Sequence, residues 1–373
     1  MGARHVIDLP IHMRPLRIEL TAIQSSEIDM TTQTKNSGLN NARDAKKDEF
    51  YTQLSDIEKE LKNYKKHFKG KVVYCNCDDP RVSNFFHYFS YNFERLGLKK
   101  LITTCFKSQD IDLFSQGNSE KAIYLEYEGD KNGNRTPDLE EIGVKTLKGD
   151  GDFRSKESIE LLKQADIVVT NPPFSLFREY VTQLVEYDKK FLIIGNVNST
   201  TYLEIFDLIK SNKMWIGPSI RSGDREFGVP QNYPLNAATT RVDDDGNKFI
   251  RVKGVRWFTN LDFRERHEDL ILYKQYSEDE YPKYDNYDAI DVGKVKDIPI
   301  DYFEEMGVPI TFLDKYNPSQ FEIIGSFNNG EHGRMLGAEK VEAISRGKTL
   351  KWNGPVINKK PLFKRVIIKR RRQ

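Results

Sequence analysis

Residues 155–174 read SKESIELLKQADIVVTNPPF. SKESIELLKQ (155–164) has the texture of a helix. ADIVVT (165–170) is short, apolar and β-branched, as a buried strand requires. The strand then stops on Asn171-Pro172-Pro173-Phe174, because two prolines cannot continue a central strand. Helix, buried strand and abrupt stop make the unit of a mainly parallel sheet with helices on both faces.

The same alternation extends upstream. Leu54, Ile57, Leu61, Tyr64 and Phe68 recur every three or four residues, Ser55 and Glu58 offer a capping box, and Gly70 a stop, so a helix is expected before KVVYCNC (71–77). That run reads as a buried strand closed by Asp78, Asp79 and Pro80. Phe85, Phe86, Phe89, Phe93 and Leu96 then form one helical face ended by Gly97, and KKLITTCF (99–106) a second strand, completing a β-α-β unit. KAIYLEY (121–127) is a further strand. Downstream, KKFLIIG (189–195) and KMWIG (213–217) continue the series, with helices between. Ligands of such sheets bind outside the carboxyl ends of the strands.

Flanking regions differ in texture. Residues 24–49 are polar and nearly free of large apolar groups, giving an expected arm and linker over 1–45, a core over 46–216, and a remainder over 217–373. The remainder begins with a Gly-, Pro- and Asn-rich stretch bearing Arg221, Arg225, Arg241, Lys248, Arg251, Lys253 and Arg256. Within it DDDGN (243–247) reads as a hairpin turn. A Tyr-rich segment (Tyr273 to Tyr302) and a final hairpin around VINKKPLFKRVIIKR (356–370) complete the chain, and KKPLFKRVIIKRRR over 359–372 is a basic patch. No internal repeat is found.

Composition narrows the function classes. The chain has 373 residues, 38 % hydrophobic and 31 % charged, and a mean hydropathy of −0.64. No apolar run approaches the ~18 residues of a membrane span, and the N-terminus has no signal-peptide core, so an intracellular, cytoplasmic protein is expected. Net charge is +2, so affinity for nucleic acid must come from local patches. Cys75, Cys77 and Cys105 complete no zinc set and are expected to be reduced. The histidines form no ligand pair, and TPDLEEIGVK (136–145) has only the outline of a PD…ExK nuclease, with Glu141 and Lys145 at the wrong spacing. No metal is expected.

NPPF is the sharpest signal. At ordinary composition [NDS]PP[FYW] arises by chance in about 1 % of chains this long, before a preceding strand is required. Its chemistry suits an amino group conjugated to an aromatic ring, such as adenine N6, whose lone pair is delocalised. The Asn171 side-chain oxygen and the Pro172 carbonyl can each accept an amino hydrogen, drawing the nitrogen toward tetrahedral geometry. Pro172 and Pro173 stiffen the arrangement, and Phe174 offers a face to a base turned out of a duplex. A methyl donor is then needed. Asp78 and Asp79 lie at the same sheet edge, and GDGDFRS (149–155) places Asp152 to accept from a cofactor amino group and Phe153 to pack on its ring.

These residues carry a resemblance. From DEFYTQLSDIEKEL, through VVYCNCDDPRVSNFFHYF, GDGDFRS, ADIVVTNPPFSLFREYV, VRWFTNLD and LDKYNPSQFEI, to the terminal hairpin, the chain resembles the EcoRI-type family of adenine-specific DNA methyltransferases. The resemblance implies a Rossmann-like class I methyltransferase fold with added DNA-recognition elements. It also implies methyl transfer from S-adenosylmethionine to adenine N6 in double-stranded DNA, in a restriction-modification or phage setting. By position, Asn171, Pro172, Pro173 and Phe174 match the catalytic motif, Tyr51 and Thr52 the cofactor-contacting FYT element, and Asp152 and Phe153 the adenine-contacting segment. Asn76, Cys77, Asp78, Asp79 and Pro80 occupy the cofactor loop, where the family has glycines, and Phe106 stands near it in a strand lacking the usual acid. Trp257 or Phe258 is assigned to bracket the flipped base; Arg221, Arg225, Arg251, Lys253, Arg256, Lys369 and Arg370 are assigned to DNA. A monomer is expected, with no physical need of a partner endonuclease.

Two other readings stay open at this level. The same acceptors suit RNA or a protein glutamine, against which the basic residues over 217–373 favour a duplex footprint. A noncatalytic DNA-binding protein is the third, and the intact NPPF argues against it.

Overall fold

The computed structural model describes residues 50–77, 83–104, 122–134, 137, 141–229, 240–327, 341–345, 347–352 and 354–372. The expected arm and linker, Asp78 to Pro80, Cys105 and Phe106 lie outside them. In chain order the first elements are β1 (Tyr51–Thr52), α1 (Leu54–Leu61), β2 (Val72–Asn76), α2 (Asn84–Tyr91), α3 (Phe93–Leu96), β3 (Lys100–Thr104), β4 (Ile123–Tyr127) and β5 (Gly143–Thr146). There follow α4 (Lys156–Gln164), β6 (Ile167–Thr170), α5 (Phe177–Glu186), β7 (Lys190–Asn196), α6 (Leu203–Lys210), β8 (Trp215–Ile216), β9 (Asp224–Val229), β10 (Thr240–Val242), β11 (Lys248–Lys253) and β12 (Val255–Thr259). The remainder holds β13 (Ile290–Asp291), β14 (Met306–Pro309), β15 (Phe321–Phe327), β16 (Val341–Ser345), β17 (Lys348–Trp352), β18 (Val356–Ile357), β19 (Lys360–Pro361) and β20 (Arg365–Arg370).

Two compact units share these elements. Unit 1 comprises Met1–Gly195 and Asp224–Val255, and unit 2 Asn196–Gly223 and Arg256–Gln373. The units exchange segments where the sequence suggested a single boundary at 216.

Unit 1 holds strands in the order β5-β4-β3-β2-β6-β7. β3, β2, β6 and β7 are parallel, whereas β4 and β5 run antiparallel at one side. β2 is buried at every residue, as a strand covered on both faces must be. Because β3 and β6 flank β2, the connections diverge there and open a crevice beyond its carboxyl end. β5, exposed throughout, was not visible in sequence because GVKT carries no apolar alternation. A second, antiparallel sheet of order β1-β9-β11-β10 carries the FYT segment, and 243–247 turns β10 into β11 as read.

The helix boundaries refine the reading. α1 starts after Gln53 without a side-chain cap, so the Ser55–Glu58 box does not form, and regular helix ends at Leu61 before a 3-10 turn. Ser83 caps α2 by accepting from Phe86 N at 3.3 Å. Asn92 interrupts the next helix, and Gly97, at φ 63°, closes it.

In unit 2, β8 pairs antiparallel with β12. A mixed sheet of order β13-β14-β20-β15 surrounds the apolar cluster of Tyr284, Ala289, Phe327 and Ile367. β20 is a central strand, with Val366, Ile367 and Ile368 buried, so the basic terminus is anchored in a core. The hairpin is the smaller β18–β19 pair, turned by Asn358 and Lys359 in left-handed conformation. No helix among the described residues is long and apolar enough to cross a membrane.

Candidate active site

The register Tyr74↔Val168 between β2 and β6 brings Cys77 and Asn171 to the same carboxyl edge in unit 1. Cys77 takes φ 78°, the left-handed region that glycine enters freely. A bulkier residue thus adopts the turn that a glycine-rich loop would supply, at a cost of about 1–2 kcal/mol. Cys75 is buried and Cys77 half-buried.

Asn171 is buried, and its Nδ2 donates to the Phe50 carbonyl at 2.6 Å. Its Oδ1 is buried without a hydrogen-bond partner among the described residues. An amide oxygen left so costs about 1–3 kcal/mol, a cost that a bound donor removes. Thr52 Oγ1, in the strand that follows Phe50, is a second buried oxygen without a partner. The Phe174 ring meets the Phe50 ring edge-on at 5.6 Å, and Phe227 of β9 backs Phe50 at 5.7 Å. After the motif, Phe177 packs flat over Gly195: a Cβ built there would stand 2.4 Å from the ring. Only glycine lets the loop sit this low on β7.

Three of the residues assigned to the cofactor, Asn76, Asp152 and Phe153, have closely linked surroundings. Tyr180, held protonated by burial, donates its hydroxyl to Asn76 Oδ1 and packs edge-on against Phe153 at 5.0 Å. Gln183 Nε2 donates to the Phe153 carbonyl at 3.1 Å. Burial would raise the Asp152 carboxyl, but Arg154, donating through its main chain and guanidinium, outweighs it and holds the group below the ordinary aspartate range. Arg154 also reaches Glu179 at 3.3 Å. Asp152 thus remains an anionic acceptor, while the Phe153 ring is largely covered. Arg154, Tyr180 and Gln183 were absent from the sequence reading; their signal lies in tertiary contact alone.

The assigned DNA contacts divide. Arg251 and Lys253 are exposed on β11, and Arg221 is exposed in unit 2. Arg225 lies 3.9 Å from Asp56, and Glu226 gathers Arg241 at 2.8 Å and Arg251 at 4.0 Å, so that sheet is less basic than its arginines suggest. Lys369 pairs with Glu304 at 3.1 Å, and the half-buried Arg370 lies over the Phe303 ring at 4.7 Å. Two assignments are corrected. Arg256 is in the interior of unit 2, bound to Asp314 at 2.7 and 3.0 Å and to the Arg221 carbonyl at 2.7 Å, so its charge is already matched. Trp257 and Phe258 are fully buried on β12 and present no face on which a base could stack. Glu141, in the segment whose spacing already spoke against a nuclease, accepts from the main-chain N–H groups of Lys131 and Asn132. Among the described residues no group of His, Cys, Asp and Glu is arranged to hold a metal ion.

Comparison with known proteins agrees with the NPPF site. The family model described as adenine-specific methyltransferase EcoRI matches residues 38–371. The chain is 55 % identical over 297 residues to the Type II methyltransferase M.EcoRI of Escherichia coli, covering 79 % of this chain and 90 % of that protein. It is 43 % identical over 294 residues to the Type II methyltransferase M.MpnI of Mycoplasma pneumoniae, covering 78 % and 86 %. To M.MgeORF184P of Mycoplasma genitalium it is 42 % identical over 295 residues, again covering 78 % and 86 %. No solved structure matches the chain. With a family model matched from the start of the body to its last strand, and NPPF at the crevice of the sheet, the chain belongs to the EcoRI family of adenine-specific methyltransferases.

Proposed function

We propose that this chain is a site-specific DNA methyltransferase of the restriction-modification type, which transfers a methyl group from S-adenosylmethionine to adenine N6. The carrying observation is the buried Asn171 Oδ1, an acceptor that lacks a donor among the described residues, on an NPPF loop at the carboxyl edge of a parallel sheet. The order β3-β2-β6-β7 supports a Rossmann-like class I methyltransferase core.

The residues present fit the cofactor. Thr52 Oγ1 is a buried oxygen without a partner among the described residues, and Asp152 is a carboxylate kept ionised. Thr52 with Tyr51, Asn76, Cys77, Asp152 and Phe153 would hold it, joined by Asp78, Asp79, Pro80 and Phe106. S-adenosylmethionine, when bound, supplies a methyl carbon made electrophilic by its sulfonium.

The chain's own residues prepare the acceptor. Adenine N6 is out of reach inside a stacked duplex, so the base must be turned out. Asn171 Oδ1 and the Pro172 carbonyl accept its two amino hydrogens and stabilise the positive charge that develops on N6. Phe174 stacks on the base. Arg221, Arg225, Arg251, Lys253, Lys369 and Arg370 neutralise phosphates. A monomer suffices, since one site can treat the strands of a palindrome in turn.

Tritium-labelled methyl transfer to unmethylated duplex DNA, with the nucleosides separated, tests this reading. Label is expected in N6-methyladenosine, and Asn171→Ala should lower transfer by about 10³-fold or more with DNA affinity retained. Label in RNA or protein alone would overturn the substrate, and full activity of Asn171→Ala the mechanism.

A further inference from the structure

Asn171 is held by the main chain of the FYT segment, at the residue ahead of the two assigned to the cofactor. We propose that the main-chain carbonyl of Phe50 is the positioning group that sets which end of the Asn171 amide faces the reacting amine, and so makes asparagine obligatory at this position. The inference rests on the proposed role of Asn171.

The two ends of an amide are nearly equal in size, so hydrogen bonding decides its orientation. Phe50 O can only accept. At 2.6 Å it must face Nδ2, which leaves Oδ1 as the end offered to the site. The carbonyl is itself fixed. Tyr51 and Thr52 pair with Gly228 and Phe227 in the β1–β9 ladder, and the Thr52 carbonyl accepts from Asn84 Nδ2 at 2.7 Å. The Phe50 ring lies between Phe227 and Phe174. One residue thus orients both working parts of the motif, the amide through its carbonyl and the aromatic through its ring.

An aspartate at 171 would set a carboxylate oxygen against this carbonyl, two acceptors with no proton between them. The carboxyl could satisfy Phe50 O only when protonated, with its hydroxyl donating to the carbonyl and its other oxygen still free to accept from N6. Burial and the facing oxygen both raise the pKa of such a carboxyl. The charged and titratable groups on the elements around β1 are Asp224, Arg225 and Glu226 of β9, Asp56, Glu58, Lys59 and Glu60 of α1, His87, Tyr88 and Tyr91 of α2, and Tyr51 itself. Arg225 pairs with Asp56 and Glu226 with Arg241; burial lowers the His87 imidazole. All are common to wild type and variant, so the ratio of the two isolates the proton at 171.

The test compares Asn171→Asp, Asn171→Ala and the wild-type full-length chain by radiolabelled methyl transfer to duplex DNA from pH 5.5 to 8.5. The Asn171→Asp to wild-type ratio is expected to rise as pH falls, by about tenfold per unit above the carboxyl's pKa, while the Asn171→Ala ratio stays flat. Thermal stability gives a second reading that does not depend on turnover. A carboxyl whose folded pKa is raised stabilises the fold at low pH and loses that contribution as pH rises through the folded value, so the Tm of Asn171→Asp relative to wild type should climb on acidification. An Asn171→Asp ratio that is flat with pH, at any level of activity, overturns the proposal. A fully active Asn171→Ala instead overturns the catalytic role of Asn171 itself, which separates the two failures.

Discussion

The NPPF loop of unit 1 and the Arg256 and Asp291 sites of unit 2 bury polar groups in opposite ways. Beside the NPPF loop, Asn171 Oδ1 and Thr52 Oγ1 are enclosed without a partner among the described residues. In unit 2, Arg256 is matched by Asp314 and by a carbonyl, and Asp291 accepts from Tyr284 Oη at 2.5 Å and from Arg365 Nε at 2.8 Å. An unmatched buried polar atom costs about 1–3 kcal/mol, and at the NPPF loop a bound donor would remove that cost. The matched groups pin loops and strands to one another.

Breaking a matched group should therefore cost stability more than any single change behind the site. Asp314→Leu strands a buried guanidinium, and urea denaturation should show a loss of about 3 kcal/mol or more. Arg256→Met in the same chain should recover most of it; no recovery would mean that the pair does not act as a unit. Gly195→Ala, in unit 1, drives a Cβ into the Phe177 ring. It should cost about 2 kcal/mol and lower kcat for methyl transfer, because the loop that carries Asn171 must lift. An unchanged kcat would uncouple that packing from the site. Cys77→Gly should move the other way, gaining about 1 kcal/mol in denaturant by relieving the left-handed backbone. The smallest effect is that of Arg154→Met. Asp152 sits below its ordinary pKa, so the contribution of Arg154 is present above about pH 4 and is lost as pH falls through the depressed value. Both side chains are partly exposed, and the difference in stability at pH 7 should be under about 1 kcal/mol, vanishing on acidification.

What was legible in the sequence follows the same division. NPPF after ADIVVT, and FYT ahead of α1, are local in the chain and chemically specific, and the structure brings them together at Phe50. The buried strands announced themselves by unbroken apolar runs. Arg256 could not be separated from Arg251 in this way, since what distinguishes them is Asp314, 58 residues further on. VRWFT reads equally well as a strand with one open face, and only its neighbours make every residue buried. The basic terminus was legible only in part for a related reason: its cations flank Val366 to Ile368, whose partners in β14 and β15 lie far back in the chain. Positive charge was visible, and its environment was not.

The exchange of segments between the units also bears on how the molecule is made. The strip Asn196–Gly223 belongs to the second unit, yet it leaves the ribosome before Asp224–Val255, which the first unit needs to complete the sheet of β1. Neither unit is thus a contiguous stretch of the gene. A nascent chain can seat the FYT strand against β9 only after residue 229 has emerged. Cutting the gene at residue 216 would give an N-terminal fragment with Asn171 and Phe50 but without the ladder that holds Phe50 in place, so methyl transfer would be recovered only by adding back the C-terminal fragment.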